Sequence, residues 1–284
     1  MIPFELVEPT ALSDALCQLD PNDTSIRPIS GGTAVMLMMK AGVLRPRRLV
    51  SLRKIPGLTD ITATSDGGLR IGAMTPLALI ERSSIVRKAC PVLIGALRTL
   101  SNIRVRNVAT LGGHLAHGDP HTDLPPLLAA LGASVTVSGR NGSREVAVGA
   151  LYRGYLETVL AADELISAVT IPATGSRKAA YLKCTTRSAD DWPAVGVAVS
   201  LDAEGGVIRD VRIVVSAATD LPTRLQAAEA VLKDSTADAR ALERAGEAAV
   251  GELVIVGDQH GSAPYKRQLA RVYIGRAVRA ALAA

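Results

Sequence analysis

Two loops with adjacent glycines, each opening a helix-like segment, set the strongest limit on how this chain folds. The first lies in ISGGTAVMLMMKAG (Ile29 to Gly42), and the second in TLGGHLAHGDP (Thr110 to Pro120), about eighty residues further on. Adjacent glycines admit left-handed backbone angles and let a ligand approach where a β-carbon would stand. Thr33 is positioned to cap the helix after Gly31-Gly32, which would set amide donors and a helix dipole where an anion is favoured. Neither loop is a phosphate loop of the NTPases, because no Gly-Lys-Ser/Thr follows, and neither is a G-x-G-x-x-G dinucleotide fingerprint. Taken singly, each reads equally as an ordinary tight turn. Two in adjacent units suit a diphosphate gripped from both sides.

The segments around the loops predict an α+β chain in three parts. Residues 1–55 alternate helix (from Ala11), strand (IRPI), glycine loop, helix and strand (RRLVSL), and Pro56-Gly57 marks a boundary. Residues 56–174 carry a strand at LRIGA and a helical stretch from Ser84 to Leu100 that Pro91 interrupts. The second loop follows, then a helix behind Asp123 with Pro125 and Pro126 in its first turn, ended by Gly132 ahead of the alternating strand ASVTVSG. Residues 175–284 read as an antiparallel sheet (AAYLKC, PAVGVAVSL, GVIRDVRIVVSAA) and closing helices from Arg224, Asp238 and Ala263.

Composition narrows the function classes. The apolar runs break well short of the ~20 residues that span a bilayer, and the N-terminus lacks the basic start and apolar core of a secretory signal, so a cytoplasmic location is expected. Cys17, Cys90 and Cys184 are too few and too scattered to ligate an iron–sulfur cluster. A net charge of +5 and 2% aromatic residues make nucleic acid a poor partner.

Several side chains admit two readings. His114, His117 and His121 beside Asp119 and Asp123 have the composition of a metal site, but lie in a Gly/Pro-rich segment without a fixed helical face. Asp119 precedes Pro120 and could serve only to shape the turn. Asp123 is placed to cap its helix or to contact a ligand. Lys183 suits an exposed strand end, and Trp192, the single tryptophan, a half-buried packing position. Lys266, Arg267, Arg271, Arg276 and Arg279 recur along the last helix, as on a solvated face or a dock for an acidic partner.

The ordered stretches RPISGGTAVMLMMKAGVLRPRRLVSLRKIPGL, VRNVATLGGHLAHGDPHTDLPPLLAALGA, YLKCTTRSADDWPAVGVAVSL and SAPYKRQLARVYIGRAVRAAL resemble, over essentially the whole chain, the FAD-binding medium subunit of the molybdenum hydroxylases. This group includes carbon monoxide dehydrogenase and bacterial xanthine dehydrogenases. The resemblance implies a two-lobed FAD-binding domain of the vanillyl-alcohol-oxidase (PCMH) type, followed by an α+β C-terminal domain. By position it assigns Ser30, Gly31, Gly32, Thr33, Ala34 and Val35 to one half of an FAD diphosphate clamp, and Thr110, Gly112, Gly113 and His114 to the other. Asp119 and Asp123 fall to cofactor contacts, and Lys183, Asp191 and Trp192 to the surroundings of the flavin ring. Ala34 stands where the family commonly has a polar residue, which leaves backbone contacts there. The implied partners are a small [2Fe-2S] subunit and a large molybdopterin subunit in a dimer of heterotrimers, with electrons passing from the clusters through FAD to an external acceptor. The other readings left standing are a metal-dependent enzyme built on the His114/His117/His121 loop and a non-catalytic interaction module that has lost FAD.

Overall fold

The computed structural model describes residues 2–284. The N-terminal part holds β1 (Glu5–Val7), α1 (Leu12–Gln18), β2 (Ile26–Ile29), α2 (Thr33–Lys40) and β3 (Arg48–Ser51). Its three strands form a parallel sheet in the order β1-β3-β2. Parallel neighbours need crossovers, and α1 and α2 supply them. A small core of Ala15, Leu16, Leu19, Ile26 and Val50 closes this part, joined by Met74 and Leu165 from further along the chain.

Next come β4 (Ile61–Ala63), β5 (Leu69–Gly72), six short helices, and the strands that complete an antiparallel sheet. The helices are α3 (Leu77–Arg82), α4 (Ser84–Ala89), α5 (Pro91–Thr99), α6 (Ile103–Arg106), α7 (Leu111–Ala116) and α8 (Leu124–Ala130). The strands are β6 (Ser134–Gly139), β7 (Gly142–Ala147), β8 (Tyr152–Gly154), β9 (Glu157–Thr158) and β10 (Leu165–Ile171). Five of these strands pair as β4-β5-β10-β6-β7, while β8 and β9 form a separate ribbon. Pro91 does break the helical stretch, starting α5 at its first position, where a missing N–H is tolerated. The Arg140 guanidinium, from the β6–β7 turn, donates to the carbonyls of Leu16 and Leu19 at the C-terminal end of α1 and ties the two parts together.

The C-terminal part comprises β11 (Lys178–Thr185), β12 (Pro193–Glu204), β13 (Val207–Ser216), β14 (Thr223–Arg224), α9 (Gln226–Leu232), α10 (Ala239–Glu252) and α11 (Ala263–Ala283). Gly205 and Gly206, both at positive φ, make the tight β12–β13 hairpin. Residues Pro193 to Leu201 of β12 are buried without alternation. The physical reason is that both faces of the sheet are covered, one by the helices and the other by the preceding part, where Ala198 and Val214 enter its core. Lys266 departs from the solvated face expected of α11. It is fully buried, its ammonium donating to the Ala217 carbonyl and paired with Asp258.

Candidate functional site

The two glycine loops meet. Ser30 to Val35, with Thr110 and Gly112 to His114, line one cavity of about 580 Å³. A β-carbon on Gly31 would lie 2.2 Å from the Val108 carbonyl oxygen, and one on Gly113 would lie 2.3 Å from Ser30 Oγ. Gly112 is pressed in the same way against Ala73, at 2.5 Å. The glycines are therefore required first by the contact of loop with loop and of loop with sheet.

The loops differ in what they leave for a ligand. Gly32, at φ +72, occupies the N-cap position of α2 and offers no side chain, so the cap expected of Thr33 is not made. The first bond of the helix runs from the Met36 N–H to the Gly32 carbonyl, and the amides of Thr33, Ala34 and Val35 stand ahead of that ladder. In the second loop the donors are committed. Leu111 and Gly112 N–H bond to the Thr75 and Ala73 carbonyls, Gly113 N–H to Thr110 Oγ1 and His114 N–H to the Thr110 carbonyl. Open amides at the α2 terminus suit an anion, and the second loop contributes shape rather than donors.

His114 reaches the same cavity from α7. Burial holds its imidazole neutral, with the pKa brought down to about 3. The Leu124 N–H points to its Nε2 at a long 3.5 Å. Asp123 lines the cavity too, but without capping its helix. Its carboxylate crosses to the C-terminal sheet, accepting from the Tyr181 hydroxyl at 2.6 Å and pairing with Lys183 Nζ at 3.1 Å. Burial raises the Asp123 carboxyl above its usual range, with Lys183 and Tyr181 pulling the other way.

Lys183 and Asp119 stand apart from the other candidates, which all line the cavity. Lys183 is an interior residue of β11, not an exposed strand end. Its ammonium is held by Asp123 and by the Asp191 carbonyl, behind the cavity wall. Asp119 accepts from both the backbone N–H and the ring Nδ1 of His121, while the His121 Nε2 lies 2.7 Å from Asp258. Burial alone would depress His121, but the two carboxylates raise its pKa overall. His121 is thus bound into carboxylates, and His114 faces the cavity elsewhere. Among the described residues no three His, Cys, Asp or Glu side chains are arranged to hold a metal ion. Trp192 is 42% exposed, on the wall formed with Asp190 and Asp191.

Residues 2–174 match the family model described as the FAD binding domain in molybdopterin dehydrogenase, and residues 180–281 match the CO dehydrogenase flavoprotein C-terminal domain. The nicotine 6-hydroxylase medium subunit of Paenarthrobacter nicotinovorans is 35% identical over 270 residues, covering 95% of this chain and 94% of that one. The chain belongs to the FAD-binding medium subunits of the molybdenum hydroxylases.

Solved structures agree with the membership of this medium subunit. Carbon monoxide dehydrogenase from Hydrogenophaga pseudoflava, in a form lacking the Mo-pyranopterin moiety, superposes with a TM-score of 0.95 at 32% identity, covering 100% of this chain and 99% of that one. Quinoline 2-oxidoreductase from Pseudomonas putida 86 gives 0.92 at 28% identity, covering 99% and 97%. The cofactor is FAD. The cavity fits it in size, being within the range of about 300–1,000 Å³ typical of ligand sites. It also fits in chemistry, since the open α2 amides suit a diphosphate and the rest of the wall is largely apolar. Part of that apolar wall carries no sequence signal of its own. Leu156, Leu160, Leu165 and Ile166 come from the β8–β10 region, and Met38 from α2. They look like ordinary packing residues, and only the fold brings them opposite the glycine loops.

Proposed function

We propose that this medium subunit is the electron-exit component of a molybdenum-containing hydroxylase or dehydrogenase, acting in the cytoplasm. Electrons reach it from [2Fe-2S] clusters of a small partner subunit, a large molybdopterin subunit oxidises the substrate, and the three chains associate as a dimer of heterotrimers. The observation that carries the reading is the pair of glycine loops closed on one cavity, with Thr33, Ala34 and Val35, whose amides precede the α2 ladder, on its lining. FAD, when bound, accepts electrons and passes them on. The chain's own work is to hold the cofactor: α2 amides for the diphosphate, Gly31 and Gly113 for loop apposition, and His114 as a neutral polar contact. Its three free cysteines, widely separated, fit both a reducing compartment and a cluster supplied by another chain.

The test is made on the complex purified from its native host. Metal and flavin analysis should find molybdenum, iron and FAD together. A complex stripped of flavin should keep reducible clusters yet lose reoxidation by an external acceptor, and added FAD should restore it. Reoxidation undiminished without flavin would overturn the reading.

A further inference from the structure

A second cavity of about 620 Å³ adjoins the FAD cavity and shares His121, Asp191 and Trp192 with it. Its remaining wall brings together the loop at Asp119, the β8–β9 turn at Tyr155, the segment after β13, and Val256 and Asp258 to His260 ahead of α11. The two parts of the chain therefore meet around an opening separated from the FAD cavity by single side chains.

Two properties of this opening are unusual for the chain. The first is its aromatic content. The sequence holds one Trp, one Phe and five Tyr, yet Trp192 and Tyr155 both stand here, 42% and 56% exposed. The His121 ring lies 5.7 Å from that of Trp192 and 4.9 Å from that of His260, so three rings follow one another along the lining of the second cavity. Exposed rings at an opening are suited to stacking on a flat ligand.

The second property is charge. On a chain of net charge +5, Asp119, Asp191, Asp220 and Asp258 converge on this lining. Lys266 and His121 offset Asp258 and Asp119, and both ring nitrogens of His121 are already taken, so Asp191 and Asp220 are the lining carboxylates with no ion-pair partner among the described residues. The donors left on the lining are the Tyr155 hydroxyl, the Trp192 indole N–H and the Gln259 amide, whose nitrogen also lies 3.4 Å from His260 Nε2, and they suit a carbonyl oxygen. With Asp191 and Asp220 as its unbalanced charges, the cavity disfavours anions and admits neutral ligands.

We propose that this second cavity receives the electron acceptor, and that the acceptor is an uncharged planar quinone rather than an anionic carrier such as a nicotinamide dinucleotide. The proposal rests on the electron-transfer reading given above. The acceptor takes two electrons and two protons from fully reduced FAD and leaves as its quinol, FAD being returned oxidised.

The experiment uses the assembled complex with its FAD photoreduced anaerobically, so that electrons need not come through the clusters. Reoxidation by 1,4-naphthoquinone is compared with reoxidation by its 2-sulfonate. The neutral quinone should react roughly tenfold faster at low ionic strength, with the gap narrowing in salt and in Asp220→Asn. The sole tryptophan gives a second readout independent of turnover. Its fluorescence should be quenched saturably by 1,4-naphthoquinone, and Tyr155→Ala should raise the half-saturating concentration about threefold, a loss of under 1 kcal/mol. Equal rates for the two quinones, or quenching that neither saturates nor responds to Tyr155→Ala, would overturn the proposal. If the clusters failed to reduce the flavin while these results held, the electron-transfer reading would fall and the cavity assignment would stand.

Discussion

Lys183 separates two accounts of the site, one in which it serves the flavin ring and one in which it serves Asp123. Its Nζ is 3.1 Å from the Asp123 carboxylate, with the two side chains only 6% and 7% exposed. At that distance and an effective dielectric of about 20, the attraction is about 5 kcal/mol, before the desolvation that opposes it. Lys183→Met leaves the Asp123 carboxylate buried with the Tyr181 hydroxyl as its remaining partner, and removing one member of such a pair costs about 3–5 kcal/mol. The thermal midpoint should fall by roughly 10 °C. Asp123→Asn strands the ammonium against the Asp191 carbonyl and should also destabilise the chain. With both changes present the loss should be smaller than the sum by about 2 kcal/mol, because neither charge is left alone. The assay is denaturant unfolding of the wild type, both single variants and the double variant, with and without FAD. Additive losses, or a Lys183→Met protein of unchanged stability and altered flavin spectrum, would refute the pairing and return Lys183 to the ring.

Three further outcomes follow from the geometry. Gly31→Ala drives a methyl into the Val108 backbone and should abolish flavin retention, whereas the Gly113→Ala defect should be partly reversed by Ser30→Ala, which removes the obstructing hydroxyl; flavin content after gel filtration reads both. The Asp119–His121–Asp258 contacts should make stability depend on pH. Because the His121 pKa is raised in the fold, its contribution is complete below the unfolded value of about 6.5 and is lost as pH rises through the folded one; Asp258, depressed to about 2, contributes above about 3.9 and less as pH falls toward that value. Lys266, His260, Asp191 and Tyr155 also face these groups, and His121→Gln should flatten the alkaline fall in thermal midpoint while only weakening the acid limb, since Lys266 still holds Asp258 down. Tyr181→Phe leaves a buried carboxylate short of one hydrogen bond and should cost about 1–3 kcal/mol in unfolding free energy.

The elements that sequence reveals well here are those set by local chemistry. Pro91 restarts a helix, Gly132 ends one at φ +74, and Gly205-Gly206 turns a hairpin, each because few residues tolerate those backbone positions. The glycine loops were legible for the same reason, and their motif order pointed to the family. Side chains whose partners lie far along the chain were not. Asp123 looks like a helix cap until β11 places Tyr181 and Lys183, some sixty residues later, against it. Lys266 sits in a basic series that reads as solvated, and only the loop carrying Asp258 makes its burial tolerable. The inequality of the loops was equally hidden, because whether an amide is free depends on the β5–α3 carbonyls it meets.

The central claim is that the two loops close on the diphosphate of FAD, and competitive flavin binding tests it most directly. Flavin-stripped protein, titrated with FAD and with FMN, should bind one equivalent of FAD roughly a hundredfold more tightly than FMN, since charge-assisted bonds to a second phosphate are worth about 3 kcal/mol together. FMN bound as tightly as FAD, or neither bound by the folded protein, would contradict it.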